Sequence, residues 1–558
     1  MDKLLHHYEL ELGRLRHATR QYAEDHPETA AALELGPDAS TDPEVERLLQ
    51  SVALLNASMQ QSIEENRGDF HRALLQTLQP HYLQTIPSRG IVQIDTSSAR
   101  ANEISTVSEL PRGSVLRAGE HKFTTAYNTS VTPFAVSSAK FQSTINLPTT
   151  LRLPSNATSA LIITIESTAG SASFDKPARP KLRIFIDGTP ELRSALLDAI
   201  LMRSLCVCLE VNTTWLLLDQ SPFTPAGYTE EESLLPHQPG PQSQRLLTEL
   251  FQLPEKFSFI DLDLAAISAL CPQGCSKITL HIVLPACTPY IRQASARNFQ
   301  LACTPVINIF PQSAEAIRLD GRSEAYPLTP MKPGCDIYSV EHVAALNKDG
   351  DKTFPPFRGT EHTAPGPYWQ IEHQEGFALK FVDREQRPVK METGSVTAQL
   401  KCTNSEILHQ PCELISEVSV GNFPIQFLHA PGASSHISDP GFLCEAFFSE
   451  ATSLPSLCNL LQLHGCKYTA CLKGLVAKPS TTWLQHPMGR MHMHGTEFTL
   501  IVDEPALREH SIHTLAELLA RALADKLREN RFAQLRVANG DGQVLCQTSP
   551  RVGSRRLA

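Results

Sequence analysis

The sequence predicts an α+β chain of several domains: an N-terminal helical segment, then β-rich domains of sandwich or barrel type with long loops, and a C-terminal α+β unit. Three observations carry this. Apolar residues recur at helical spacing through about the first 80 positions, an alternation of period two takes over after Ile86-Pro87-Ser88, and the last stretch mixes strand, helix and hairpin. A length of 558 residues, at roughly 150 per domain, allows three or four domains, and the pattern shifts place them at 1–86, 87–300, 301–480 and 481–558.

Leu5, Tyr8, Leu12, Leu15 and Tyr22 line one face of a first helix, with Glu9, Glu11, Arg14 and Arg16 between them and Pro27 as its stop. A second helix is announced by Asp42 as N-cap, Pro43 at the first helical position, and Glu44 and Glu46 near the positive end of the dipole. Val45, Leu48, Leu49, Val52, Met59 and Ile63 form its stripe, and a third segment with Phe70, Leu74, Leu75 and Leu78 ends before Pro80. Strand-like runs follow at Ile91–Ile94, Leu151–Leu153, Ala160–Ile165, Leu182–Ile186, Ile278–Leu284 and Val396–Cys402. One helical insertion interrupts them, with Pro190 opening Leu192, Ala195, Leu196, Ala199 and Ile200 to pack on a sheet. Forty prolines and the polar connections 229–244 and 347–366 point to elaborate loops, and no alternating βαβ pattern emerges. Near the end, Glu497–Val502 precedes a helix from Thr514 to Leu527, with Thr514-x-x-Glu517 as its capping box and Leu515, Leu519 and Leu523 on one face. Leu535–Val537 then enters an Asn539-Gly540-Asp541-Gly542 hairpin turn.

A hydrophobic share of 41% with 19% charged residues excludes global disorder. Lys plus Arg number 49 against 59 Asp plus Glu, a formal net charge of -10, so nucleic acid gains no chain-wide attraction. The charged N-terminus lacks the apolar core of a secretory signal, and no run reaches the length of a membrane-spanning helix. A cytosolic chain is expected. Fourteen cysteines, none before Cys206, then read as reduced buried thiols, and the sequons at Asn56, Asn128, Asn156 and Asn212 carry no glycosylation meaning.

Chemistry-bearing motifs are sparse. No phosphate-binding loop, dinucleotide turn or H-E-x-x-H helix occurs. Gly432-Ala433-Ser434-Ser435-His436 begins like a nucleophile elbow but has His436 where the sharp turn needs a second glycine. Cys206-x-Cys208, and Cys271 with Cys275, His281 and Cys287, miss zinc-knuckle spacing and read as packed thiols. In His486-Pro-Met-Gly-Arg-Met491-His492-Met493-His494 a strand would put the last two histidines on one face and the last two methionines on the other, which fits a half-buried strand better than a copper or zinc site. Glu230-Glu231-Glu232 does not converge on one point, so a solvated loop is expected rather than an acid–base pair. We expect no catalytic, cofactor or metal site. The competing class, a carbohydrate-binding or hydrolytic β-protein, needs exposed aromatic platforms and spaced acids, whereas aromatics are 6% and tryptophans three.

Several blocks, in order, resemble the TssF family, the baseplate wedge subunit of the bacterial type VI secretion system. They are Tyr8-Glu9-Leu10-Glu11-Leu12 with Arg16; Asp42-Pro43-Glu44-Val45-Glu46-Arg47-Leu48-Leu49; Leu78-Gln79-Pro80-His81-Tyr82-Leu83 with Pro87-Ser88; and Leu110-Pro111-Arg112-Gly113 with Phe123–Tyr127. Arg245–Phe257, Thr304–Arg318, Tyr338-Ser339-Val340, Cys402-Thr403-Asn404, His494–Leu500, Asn530–Leu535 and Pro550–Gly553 continue the likeness, with His494 standing where arginine is expected before the glycine. The resemblance implies a structural, non-enzymatic protein without cofactor. It implies two copies embracing one TssG, with TssK, TssE, a VgrG spike and the Hcp tube as further partners, and a location on the cytoplasmic face of the inner-membrane complex without direct membrane insertion. On that basis Tyr8, Leu12, Leu15, Leu48, Val52 and Met59 are the candidate partner interface, an internal domain core being the equally weighted reading of the same stripes.

Overall fold

The computed structural model describes residues 2–32, 42–78, 84–96, 108–148, 151–169, 172–236, 242–286, 289–345, 352–357, 366–373, 376–391, 394–404, 413–416, 423–434, 453–486 and 489–554. Pro80–Leu83, Cys287, Ser435-His436, Met488 and most of 347–366 lie outside these residues. The chain divides into two compact units, one built on Met1–Leu83 and the other on Gln84–Ile437 and Ser449–Ala558.

The first unit is helical: α1 (Asp2–Asp25), α2 (Pro27–Ala32) and α3 (Pro43–Leu78). Pro27 does not merely stop α1; it opens α2, where its missing N–H costs nothing. Asp42 caps α3 by accepting the Glu44 N–H at 2.8 Å, as the sequence predicted. The expected third segment is the continuation of α3, a single helix of 36 residues, because one Gly68 without a proline is too weak a breaker to end it.

The second unit centres on a closed six-stranded barrel. Its neighbours, in order, are Arg89–Ile94, Cys303–Ile307, His121–Thr125, Val115–Ala118, Glu413–Ser416 and Ile425–Phe427. Val92, Leu116, Phe123, Val306 and Phe427 fill the interior, with Phe123 and Phe427 edge to face at 5.1 Å. The barrel thus draws strands from both sides of residue 300.

Beside it lie a five-stranded sheet (Thr214–Leu218, Cys206–Val211, Lys277–Leu284, Ser159–Ser167, Phe134–Gln142) and a four-stranded one (Phe223–Pro225, Phe259–Asp263, Lys181–Ile186, Phe299–Gln300). They share one core in which Leu161, Ile163 and Ile165 alternate inward against Ile184, Ile260 and Leu262. The predicted insertion is α4 (Pro190–Leu201), capped by Thr189, and its Leu192, Leu196 and Ile200 enter that core. Two further helices, α5 (Gln242–Gln252) and α6 (Leu264–Ser268), follow. A second β-rich layer, with Gly394–Asn404 as its central strand, builds its own core from Phe310, Val343, Phe381, Leu400 and Cys402. Leu151–Leu153 forms no strand: the Leu151 N–H turns back to the Pro148 carbonyl.

After α7 (Leu454–Leu463), the C-terminal sheet runs Leu472–His486, Gly489–Val502, Arg531–Ala538, Val544–Gln547, its middle pair parallel and α8 (Ile512–Asp525) crossing over it. The cap of α8 is Ser511, whose hydroxyl accepts the Thr514 N–H, so Thr514 lies in the first turn rather than at the cap. Leu515, Leu519 and Leu523, which the sequence puts on one helix face, are buried.

Two buried polar knots join distant segments. In the first, Asn308 is 2% exposed; its amide donates to the Lys122 carbonyl (2.7 Å) and Asn404 Oδ1 (2.8 Å), and its carbonyl accepts from the Thr403 hydroxyl and the Asn404 N–H, both 2.7 Å. The barrel is thereby pinned to the Gly394–Asn404 strand, which is what the Cys402-Thr403-Asn404 strand end does. Asn308→Ala should cost about 2–4 kcal/mol in urea unfolding, since it strands several buried partners, whereas Thr403→Val should cost about 1 kcal/mol. Equal losses would mean that the network is not centred on Asn308.

In the second knot, Lys256 and Glu249 form a fully buried ion pair; Glu249 also accepts the Leu234 and Leu235 N–H groups at 2.9 and 2.8 Å, and Lys256 donates to the Gly227 carbonyl at 2.8 Å. Burial lowers the Lys256 ammonium below its ordinary pKa, with Glu249 opposing. The Tyr127 hydroxyl donates to the Lys256 carbonyl at 2.9 Å, and Arg183 stacks over the Tyr127 ring while pairing with Asp261 and Glu232. For Glu232, burial pushes upward but Arg183 and a hydrogen bond from the Gly227 N–H outweigh it and hold the carboxyl low. Glu232 is therefore a structural acid.

Candidate partner interface

The first unit carries the residues the sequence singles out. α1 packs along α3, and Arg16 reaches Glu46 at 2.7 Å. Glu46, Ala53 and Ala57 share one face of α3 by their spacing of seven and four, and both alanines are fully buried. Small side chains there permit a close helix approach.

Leu48, Val52, Leu55 and Met59 lie on a different face, at intervals of four, three and four, with Ile63 extending the row. They are exposed: 65% for Leu48, 37% for Val52, 65% for Leu55, 63% for Met59 and 57% for Ile63. The row runs about 22 Å along the helix and contains no charged residue. Tyr8, Leu12 and Leu15 of α1 are only half-buried. The two predicted stripes therefore differ: the α1 residues are half-buried, while those of α3 are exposed. The sequence reading missed Leu55, which its heptad position could have revealed.

Other sequence candidates separate in the structure. Cys206 and Cys208 sit on one strand, half-buried and buried, and burial raises both thiols, Cys208 to about 12. His281 bonds Glu210 at 2.8 Å and lies against Trp215, the rings tilted by 43° with centroids 4.6 Å apart. Burial raises the Cys271 thiol, to about 12. Among the described residues, no three His, Cys, Asp or Glu side chains are placed to hold a metal ion. Glu230 and Glu231 face outward while Glu232 turns into the Arg183 knot. His492 and His494 share a face of their strand, 5.6 Å apart between rings. Of the three tryptophans, Trp369 is buried and Trp215 half-buried, leaving Trp483 alone as an exposed indole. None of these helices, among the described residues, is long and apolar enough to cross a membrane.

Three comparisons relate the chain to known proteins. The family described as "Type VI secretion system, TssF" matches residues 1–436 and 449–555. The "Type VI secretion system component TssF1" of Pseudomonas aeruginosa is 24% identical, the alignment covering 99% of both chains. Among solved structures, a chain of the type VI secretion TssK–TssF–TssG baseplate subcomplex, determined by cryo-electron microscopy, aligns with a TM-score of 0.70 at 20% identity over 92% of this chain and 99% of that one.

Proposed function

The chain belongs to the TssF family of the type VI secretion system, and from that premise we propose that it is a structural subunit of the baseplate which joins TssG and TssK through side-chain interlock rather than chemistry. The observation that carries this reading is the exposed heptad-spaced row on α3. Five large apolar groups along one helix lose their exposure against an apolar partner face, as in a helix seam, and a permanent interface of that kind buries more than roughly 2,000 Å² around an apolar centre. We assign two copies of the chain to each TssG in wedges around a central VgrG spike, with the Hcp tube stacked on the spike and TssE toward the sheath, at the cytoplasmic face of the inner membrane. The likeness to a chain of the solved TssK–TssF–TssG subcomplex supports TssG and TssK as partners.

A structural role also fits the interior. Buried polar groups such as Lys256, Glu249 and Asn308 are committed to one another, and no substrate-sized apolar cleft with convergent donors is needed to explain them. The test is coexpression of the tagged chain with TssG and TssK followed by native mass spectrometry. Masses of a defined complex with two copies of this chain per TssG are expected; a chain that stays monomeric beside both partners overturns the proposal.

A further inference from the structure

The strands Leu472–His486 and Gly489–Val502 form a hairpin longer than the sheet that supports it. The inner strand pairs with Arg531–Ala538 only from His494 to Ile501. Beyond that, Thr482–His486 and Gly489–Met493 pair with each other alone among the described residues, an arm of about 17 Å at the ordinary rise per residue. A bare two-stranded ribbon is marginal in water. Its survival therefore rests on a firm root or on a partner.

The root is firm. Gly495 lies so close under Phe532 that a Cβ there would meet both the ring and the carbonyl of that residue, and Phe532 is fully buried. The arm itself is exposed, with Trp483 at 67% and Met491 at 45%. Trp483, His492 and His494 form an edge-to-face row at 5.2 and 5.6 Å on one face, and alternation puts Leu484, Met491 and Met493 on the other. From Gly474 to Thr496 the sequence holds Lys478 and Arg490 and no carboxylate; Arg490 lies in the arm itself, and Lys478 lies at its root across from Glu497, which pairs with Arg536 at 2.8 Å.

We propose that this arm is a second docking element, separate from the α3 row, that seats Trp483 in an apolar pocket on an acidic protein surface. An exposed indole set edge to face against His492, methionines on the opposite face and a flanking arginine make the composition of a protein interface centre. Trp483 stands edge to face with His492 at 5.2 Å, back from the hairpin turn rather than at its tip. The charge bias selects a partner surface rich in Asp and Glu. That the neighbour is a protein of the same assembly rests on the baseplate reading above.

The experiment replaces Trp483 with the photoreactive p-benzoylphenylalanine in the full chain, in cells that carry the whole secretion apparatus. After irradiation, the adduct is mapped by mass spectrometry, and copurification of TssG is read from the same lysate, so failure of the α3 reading is seen separately. The expected adduct falls on a protein segment with excess carboxylates, and its yield drops at least tenfold when Lys478→Glu and Arg490→Glu are introduced together. No protein adduct, an adduct to lipid, an adduct on a segment without excess acid, or a yield indifferent to charge reversal each overturns the proposal.

Discussion

Leu48→Asp combined with Val52→Asp should abolish copurification with TssG, lowering the apparent affinity by at least about a hundredfold, while the thermal unfolding of the chain stays where it was. The two side chains are 65% and 37% exposed, so an aspartate at either place meets water in the free chain and costs the fold little. In an assembled helix seam the same carboxylates would be buried without a partner, at a cost of several kcal/mol, and about 2.7 kcal/mol already makes a hundredfold. Leu54→Asp is the control, since Leu54 is also exposed, at 49%, but falls outside the heptad row. Loss of cooperative unfolding in the double variant would place these residues in an internal core instead.

Lys256→Met should destabilise the second unit by about 3–5 kcal/mol, seen as a shift of the urea midpoint. The variant leaves the Glu249 carboxylate fully buried with only the Leu234 and Leu235 N–H groups, and the Gly227 carbonyl loses its donor. The double change Lys256→Met with Glu249→Leu should recover part of that loss, because no uncompensated charge then remains. A double variant worse than the single one would show that the pair is worth more than its burial costs.

Local patterning disclosed the local structure. The period-two runs at Ala160–Ile165 and Ile278–Leu284 and the Pro190 start signal each named a real element, because a residue's neighbours in sequence are its neighbours in a strand or helix. Three kinds of information were missing. Ser511 and Thr514 are both plausible caps, and only the extended backbone at Ser511 decides between them. The barrel depends on which strands pair, and alternation says nothing about partners. Asn308, Lys256 and Glu249 are of residue types usually found at the surface; here they are buried with hydrogen-bonding partners that alternation does not reveal, Asn404 arriving from nearly a hundred residues away. The candidate interface was legible as a stripe of apolar positions. Its exposure was not, since an apolar stripe looks the same whether its cover is another part of the chain or another protein.

The barrel sets a timetable for synthesis. Arg89–Ile94 pairs on one side with Cys303–Ile307 and on the other with Ile425–Phe427, so its last seam cannot close until residue 427 has left the ribosome. At roughly 5–20 residues per second, the earliest barrel strand waits on the order of tens of seconds with an unpaired edge. Nascent chains of this protein should consequently depend on a holding chaperone until translation is nearly finished, and the helical hairpin made first is the piece able to settle while the rest is still being written.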